Sequence, residues 1–387
     1  MTPPRRRVRT LAAPWLVALS AAVALTLAAG PAVAATPVTD GAVTTSGAVT
    51  SNAQAARFGA GYLARQIEAN GGYLAPFGPP DLGDTAYAVV GLTAAGVGRD
   101  ASALAVTYLK SQVAHGLVDS SGADDAGALA NVILAASAAG ADPRAFGGSA
   151  PVNNLVARLL GTKRATGADR GLFGTASPTF DGAFRQGLAL AALRSAGIPQ
   201  ARVDPALAWL TRQQCANGMW TSYRPDTSVP CPAADPDTFA GPDTNSTALA
   251  VQGLAAYGSR PRRAAMLTTL EAIQAADGGF PYFAAAGQSS DPNSTAVTIQ
   301  ALVATHAGPA TARWVEHGRT PYAALAAFQL GCGDAAADRG AYYFPGSRTA
   351  DILATIQAVP AQVGAALPVP HRVLAPSTPT LTCPPAA

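Results

Sequence analysis

Apolar and polar positions follow a paired pattern that recurs six times along the chain. In each unit an apolar helical pattern ends at a glycine-containing turn, and a polar residue then starts a second pattern rich in alanine, leucine and glycine. The turns are spaced by roughly 45 to 60 residues, which is typical of a repeated helix pair. They begin at Gly71, Gly116, Gly171, Gly218, Gly278 and Gly340.

The two helices of each unit differ in where their apolar residues fall. Segments such as 62–67 and 209–214 place apolar residues on one face and predict outer helices. The second helices are apolar on every side, and such helices belong inside a protein. Six outer and six inner helices predict an all-α fold, a closed (α/α)6 toroid whose last repeat packs on its first.

The turns and ends of the units carry further signals. Glycines at Gly96, Gly140, Gly197 and Gly258 predict left-handed ends for inner helices. Aromatic residues in the turns are expected to pack between the outer helices. The polar residues before the inner helices are of the types that cap helix N-termini. These residues are Asp84, Asp125, Asp181, Asn245, Asn293 and Asp351.

The N-terminus has the pattern of an export signal. Four arginines precede an apolar stretch that ends in Ala32-Val33-Ala34, so residues 1–34 are predicted to be a signal peptide. An uncleaved anchor is the alternative, because the stretch approaches the roughly 20 residues that span a membrane. A flexible lead-in is predicted over 35–52, the toroid over 53–359, and a proline-rich surface tail, pinned to the last repeat, over 360–387.

The signal peptide also accounts for the apparent basic character of the chain. Of the 26 lysines and arginines four lie in this segment, whereas all 23 acidic residues lie outside it. The mature protein is therefore close to neutral, which argues against a nucleic-acid partner. After cleavage no stable membrane span is expected.

Four cysteines in an exported chain predict two disulfides. Three pairings are possible, and proximity favours Cys215–Cys231 and Cys332–Cys383. A zinc site is the competing interpretation, but no histidine lies at metal-ligand spacing from a cysteine. No metal is therefore predicted.

The Gly-aromatic turns and the sequence Asp84-Thr85-Ala86 resemble the terpene cyclase and protein prenyltransferase α/α toroid superfamily, with its prenyltransferase and squalene oxidase repeats. The resemblance covers nearly the whole mature chain and extends to the α-barrel of the transcobalamin and intrinsic factor carriers. It implies the toroid fold, and a terpenoid or cobalamin as ligand. Fold alone does not decide the activity.

The catalytic motifs of these relatives are incomplete in this chain. Class II cyclases protonate an alkene with the middle acid of an Asp-x-Asp-Asp motif, and that position is Gly83 here. The zinc-binding cysteine of the prenyltransferases has no counterpart. A thioester motif would need glutamine where the chain has Ala335.

The likeness to cobalamin carriers rests on two inner helices. Gln252 and Gln300 fall where the carriers present a ligand-binding glutamine. The carriers close over cobalamin with a second β-rich domain, which this sequence lacks. The match indicates a binding pocket, with no cofactor predicted and cobalamin as one possible ligand.

The parallel inner helices of a toroid bring their N-termini to one mouth, where polar side chains ring an apolar shaft. Any one of these polar residues is more often an ordinary helix cap than a ligand contact. The set nevertheless predicts a binding site for a small apolar or amphipathic molecule. Its residues are Asp84, Tyr87, Asp125, Asp181, Phe184, Asn245, Gln252, Asn293 and Gln300.

Three alternatives remain beside this function. One is a cyclase-like enzyme in which Asp84 supplies the acid. The second is a protein-interaction module with a filled barrel and a cell-surface partner. The third is a glycan-active toroid, which needs two carboxylates across a cleft roughly 5 to 10 Å apart.

Overall fold

The computed structural model describes residues 51–175, 177–285 and 287–383. Within these ranges the chain forms twelve α-helices of seven residues or more and one single-turn helix. Backbone pairing outside the helices is limited to isolated β-bridges. The predicted signal peptide, the lead-in before Ser51 and the last four residues of the tail lie outside the described residues.

Outer and inner helices alternate along the chain, as the repeat pattern predicted. The outer helices are α1 (Asn52–Ala69), α3 (Arg99–Gln112), α5 (Leu155–Gly161), α8 (Asp204–Arg212), α10 (Arg263–Ile273) and α12 (Pro321–Ala327). The inner helices are α2 (Leu82–Ala95), α4 (Ala126–Ala138), α7 (Ala183–Ser195), α9 (Thr244–Ala255), α11 (Pro292–Ala304) and α13 (Ile352–Gln362). The single turn α6 (Pro178–Asp181) precedes α7.

The inner helices form a closed ring. Each packs against the inner helix before and after it, and α13 closes the ring by packing against α2. The first outer helix, α1, also packs against α13. This confirms the all-α toroid, and the complete burial of α9 from Thr244 to Leu254 shows why inner helices need apolar residues on every side.

Glycines allow two inner helices to approach at backbone distance. A Cβ added at Gly187 in α7 would lie 2.1 Å from the carbonyl oxygen of Leu249 in α9. A Cβ at Gly253 would lie 2.5 Å from the carbonyl oxygen of Gly187. The two helices touch here through their backbones, and neither position has room for a side chain.

A hydrogen bond joins each Gly-aromatic turn to the inner helix that follows. The backbone N–H of Trp220 donates to the Thr247 hydroxyl at 2.9 Å, and that of Phe280 donates to Thr295 at 2.9 Å. Leu74 and Tyr342 make the same bond to Thr85 and Thr355. In the third repeat Phe173 donates instead to Gln186 at 2.9 Å. The threonine therefore fixes the turn in four repeats. Phe173, Trp220, Phe280 and Tyr342 are fully buried, whereas the turn aromatic Tyr73 is half-buried.

The C-terminal segment differs from the predicted surface tail. Helix α13 continues through Pro360 to Gln362, and the chain then crosses the C-terminal ends of the inner helices. Leu367 is only 4% exposed, and its N–H donates to Gln252 Oε1 at 2.8 Å. The apolar side chains of this segment pack on the apolar end of the shaft and close it, because this packing removes both surfaces from water.

Two disulfides join Cys215 to Cys231 and Cys332 to Cys383, the pairing that proximity favoured. The second bond ties the end of the tail to the last repeat. Such bonds persist in an oxidising environment. Among the described helices, none is both long and apolar enough to cross a bilayer.

Candidate functional site

The N-terminal ends of the inner helices, with the loops that precede them, form the mouth of the toroid. Five of the six helices are capped by an aspartate whose carboxylate accepts the N–H three residues further on. The capping residues are Asp81, Asp125, Asp243, Asp291 and Asp351.

The capping role predicted for four residues is therefore wrong. Asp84, Asn245 and Asn293 lie inside the first turns of α2, α9 and α11, because an aspartate two or three residues earlier takes the cap. Pro292 favours this start for α11, since its fixed φ suits the first helical position. The fourth, Asp181, precedes Gly182, which begins α7 without a side-chain cap.

Asp84 is a half-buried carboxyl whose surroundings disfavour its ionised form. Burial, together with the neighbouring carboxylates of Asp81 and Asp351, raises the pKa of Asp84 well above its ordinary value. No hydrogen-bond donor of the described residues contacts its side chain. A protonated carboxyl at a mouth can donate a hydrogen bond or a proton to a bound molecule.

Asp125 and Asp181 are each paired with an arginine that sequence reasoning missed. Arg185 Nη1 donates to Asp125 Oδ1 at 2.6 Å, and its guanidinium lies 3.9 Å from the ring centre of Phe180. Arg164 Nη2 lies 3.5 Å from Asp181 Oδ2. The signal available was Arg185 itself, a charged residue in the first turn of an otherwise apolar inner helix.

Burial also changes the protonation of Asp181. Its side chain is almost fully buried against Gly174, where an added Cβ would lie 2.1 Å from the carboxyl. Desolvation raises the pKa of Asp181 to about 6, although Arg185 and Arg164 oppose that shift. Asp181 is thus held in place by Arg164 and has little surface free for a ligand.

Deeper in the shaft the predicted binding residues contact one another. Tyr87 donates to Gln300 Oε1 at 3.2 Å, and Gln300 Nε2 donates to the carbonyl oxygen of Gln357 at 3.2 Å. Gln252 is occupied by the tail through Leu367. The sequence left open whether the shaft is open or filled. Here these glutamines satisfy the protein's own polar groups and occupy it.

In the N-terminal part of the inner helices, several side chains are half-exposed although the helices around them are buried. They define what we call the mouth depression: Asp84, Asn131, Phe184, Asn293 and Gln357. Asn293 stands two turns above Gln300 on the same face of α11. Asn245 is nearly buried beside Thr244, so of the predicted residues Asp84, Phe184 and Asn293 are the ones that line this space.

Three amide oxygens of these residues have almost no exposed surface and no hydrogen-bond partner among the described residues: Asn131 Oδ1, Asn293 Oδ1 and Gln357 Oε1. The amide oxygens of Gln214, Gln329 and Gln362, elsewhere in the chain, share this state. Buried polar atoms are normally paired, and an unpaired one is costly. Asn131 and Gln357 were not predicted. Both lie on inner helices where an amide interrupts an apolar run, which is the signal that would have identified them.

Aromatic side chains stand around the mouth. Tyr282 lies near Asp243 and Asp291, and burial together with these carboxyls raises its pKa. Phe239 is 58% exposed and packs edge-on against Phe283, with ring centres 5.4 Å apart. Phe77, before α2, is 63% exposed. These rings provide apolar surface next to the polar depression.

The described part of the chain holds no group of three or more histidine, cysteine, aspartate or glutamate side chains arranged to bind a metal. A cleft beside α9, lined by residues such as Val251 and Met266, has room for about one water molecule. The mouth depression is therefore the candidate site.

No family model matches the sequence, and no curated protein does either. Solved structures with the same fold include a protein from Actinoplanes, which is 20% identical, with 81% of this chain and 98% of that chain covered and a TM-score of 0.51. The type II terpene cyclase MstE from Scytonema is 15% identical, with 81% and 97% covered and a TM-score of 0.50. A polysaccharide lyase is 10% identical, with 81% and 96% covered and a TM-score of 0.50. A cyclase and a lyase thus share this toroid. The comparison supports the toroid fold that the sequence resemblance implied, and it does not decide which reaction, if any, this protein catalyses.

Proposed function

We propose that this protein binds a small amphipathic molecule in the mouth depression. The observation that carries the proposal is the set of unpaired amide oxygens of Asn131, Asn293 and Gln357, each on a different inner helix. These oxygens have almost no exposed surface, so a bound molecule would pair them by rotating the half-exposed side chains toward itself, and this would remove the cost of leaving them unpaired. Ligand sites typically combine a few such polar groups with apolar walls.

The filled shaft limits what the ligand can be. Because Tyr87, Gln300 and the tail occupy the space below, the molecule sits in the upper turns of the inner helices or projects from the mouth. Its apolar part would rest on Phe184 and on the exposed ring of Phe239. A terpenoid or a part of a cobalamin-like molecule fits this description, and no bound cofactor is required.

The first test is mass spectrometry of the small molecules released on denaturing the mature protein purified from culture medium. Calorimetric titration with terpenoids and corrinoids then compares the wild type with Asn131→Leu and Gln357→Leu. Gln200→Leu, an exposed change on the outer surface, serves as the matched control. Absence of both a co-purified ligand and any titratable binding would refute the proposal and favour a protein-interaction module.

A second candidate function, acid catalysis, is favoured by the raised pKa of Asp84. A carboxyl that stays protonated near neutral pH can protonate an alkene, as in a terpene cyclase-like enzyme. Incubation with polyprenyl substrates would reveal cyclised products, and Asp84→Asn should abolish them while Asp100→Asn, on the outside of α3, leaves them unchanged. Product formation that survives in Asp84→Asn would exclude Asp84 as the acid.

The chain is also proposed to be exported, by the signal peptide over residues 1–34, and to act outside the cell or at its surface. The two disulfides support this location, because such bonds are stable in oxidising compartments. N-terminal sequencing of protein from culture medium should find a start near Ala35. An intact N-terminus in the membrane fraction would instead indicate a signal anchor.

A further inference from the structure

Positive charge is concentrated where two neighbouring inner helices end. Residues 244–270, which include α9 and the start of α10, contain no aspartate or glutamate, and neither do residues 292–315, which include α11. The loop after α9 nevertheless reads Arg260-Pro261-Arg262-Arg263, and His306 follows α11. Because the chain outside residues 1–34 is close to neutral, this concentration is a local feature and does not reflect overall composition.

Contacts join these residues into one surface over the ends of three inner helices. Arg263 Nε donates to the carbonyl oxygen of Thr305 at 3.0 Å, and its Nη2 donates to that of His306 at 3.4 Å, which links the loop after α9 to the end of α11. On the other side, the guanidinium of Arg194 in α7 lies 5.7 Å from the ring centre of Tyr257, just after α9. We call this set the basic surface, and its residues are Arg194, Arg260, Arg262, Arg263 and His306.

The charges of the basic surface are not offset by the protein's own acids. Arg260 and Arg262 are exposed, and their side chains form no hydrogen bond or ion pair with any residue that the structure describes. Arg263 donates to carbonyl oxygens. The nearest acid along the sequence, Glu271, is bound by Arg313 at 2.9 Å. The surface therefore has positive charge available to an anionic partner.

Arg262 occupies a position that disfavours an arginine in two ways. Its backbone is left-handed, with φ 45° and ψ 32°, a conformation that glycine and asparagine adopt at lower cost than other residues. It also directly precedes α10, at the end of a helix where the dipole disfavours positive charge. Local structure therefore does not explain this arginine, whereas contact with an anion would offset the electrostatic part of its cost.

The extent of the surface favours a polymer over a small anion. The cleft beside it, lined in part by Arg260 and Arg263, has room for about one water molecule, so it cannot enclose a phosphate. Packed helices lie about 8–10 Å apart, so charges at the ends of three neighbouring helices extend over roughly 20 Å. Guanidinium groups match the oxygens of a phosphate in a bidentate geometry. Repeated phosphates along a chain can reach all of these side chains, whereas a single phosphate reaches one or two.

We infer that the basic surface binds an anionic polymer that carries a phosphate group in each repeating unit. The interaction is separate from the ligand proposed for the mouth, since the basic surface shares no residue with the mouth depression. For a protein proposed to act outside the cell, it would hold the toroid on a phosphate-bearing polymer of the cell surface. Several exposed charges act together in such binding, so its affinity falls as salt screens them.

The test is calorimetric titration of the full mature protein, with both disulfides intact, using linear inorganic polyphosphate as the probe. We expect binding that weakens roughly tenfold or more between about 50 and 200 mM salt. Arg260→Gln combined with Arg262→Asn should weaken binding at least about tenfold at the lower salt concentration, because two charged contacts are lost.

The matched control is Arg57→Gln combined with Arg170→Gln, which gives the same net charge. Both of these arginines are exposed and form no ion pair with a described residue. The control should change polyphosphate binding by less than about twofold. Equal losses in the two double variants would overturn the inference, because binding would then reflect net charge alone.

A melting measurement separates binding from a structural role of Arg262. Arg262→Asn alone should weaken polyphosphate binding while melting no lower than the wild type, since asparagine tolerates the left-handed backbone. A lower melting temperature with unchanged binding would show that Arg262 stabilises the fold, and would overturn its assignment to the surface.

Two further outcomes would contradict the inference. One is the absence of polyphosphate binding at the lower salt concentration. The other is binding to phosphatidylglycerol vesicles without binding to polyphosphate, which would indicate a membrane surface as the partner. Neither outcome concerns the mouth, so the proposed ligand site is judged by its own titration.

Discussion

At the scale of single residues, the aspartates of the mouth divide into two groups. Those that cap helices accept a backbone N–H and have a structural role, as Asp243 and Asp291 illustrate. Asp84 has no such bond, and its pKa is raised by burial and by Asp81 and Asp351. Its carboxylate therefore opposes folding whenever it is ionised, because a buried charge without a partner is costly.

This opposition predicts how Asp84→Asn changes stability with pH. Because the folded-state pKa lies above the ordinary value of 3.8, the unfolded chain loses this proton first, and stability falls as pH rises from there toward the folded pKa. Near neutral pH the variant should melt about 2–4 °C higher than the wild type, corresponding to about 1 kcal/mol. Below pH 3.8 the variant and the wild type should melt at the same temperature.

Differential scanning calorimetry over this pH range measures the effect. Asp100→Asn, an exposed change in α3, should leave the melting temperature unchanged at every pH. A lower melting temperature for Asp84→Asn at neutral pH would show that the carboxylate stabilises the fold.

Sequence patterns of polar residues indicated the mouth but not which residue caps each helix. In Asp81-Leu82-Gly83-Asp84 two aspartates have the right chemistry, and the choice depends on where the preceding turn ends. The bridge between Leu74 and Asp81 sets that point, and it forms only in the folded turn. The threonine of the inner-helix first turn is a similar case. Its sequence context resembles a family motif, and in four repeats its hydroxyl accepts the hydrogen bond that holds the turn.

At the scale of elements, the approach of α7 and α9 predicts opposite effects for two glycine substitutions. Gly187→Ala should destabilise the protein by about 2 kcal/mol or more, because its Cβ would overlap the backbone of Leu249 and force the helices apart. Gly91→Ala in α2 should stabilise it by up to about 1 kcal/mol, since alanine favours a helix. Its Cβ would meet Val359 at an ordinary 3.5 Å.

Urea denaturation of both variants measures the two free energies of unfolding. Each substitution lies inside an inner helix, so helix propensity alone would give both the same sign. Equal stabilisation by both would mean that α7 and α9 do not approach as closely as the structure shows.

The helices could be predicted from sequence periodicity, because the spacing of apolar residues reflects which faces are buried. The side chains that fill the shaft could not be predicted in this way. Tyr87, Gln300 and Leu367 meet there from segments far apart in sequence, and such contacts leave no local pattern. The tail illustrates the limit: prolines indicated an extended segment, but its course depends on the surface that the inner helices offer.

At the scale of the whole molecule, the tail depends on the Cys332–Cys383 disulfide. Replacing both cysteines by serine should lower the free energy of unfolding by roughly 2–4 kcal/mol. It should also speed hydrogen exchange at Leu367 and Ala375, whose N–H groups bond to Gln252 and to Gly96. Exchange measured by mass spectrometry on tail peptides would show this loss of protection.

The paired change Cys215→Ser with Cys231→Ser is the control, since that disulfide closes a loop of the fourth repeat, between α8 and α9. It should lower stability without altering exchange in the tail. Unchanged exchange in the Cys332 and Cys383 variant would mean that the tail's own contacts hold it in place.

The tail determines by which end of the toroid a molecule could enter and leave. The tail covers the C-terminal ends of the inner helices, with Leu367 buried next to Gln252, so the shaft is closed at this end. Whatever enters must leave by the same route, so a second molecule cannot displace the first from behind and a polymer cannot thread through the ring. For the proposed ligand, exchange would therefore be limited by its release through the mouth, one molecule at a time.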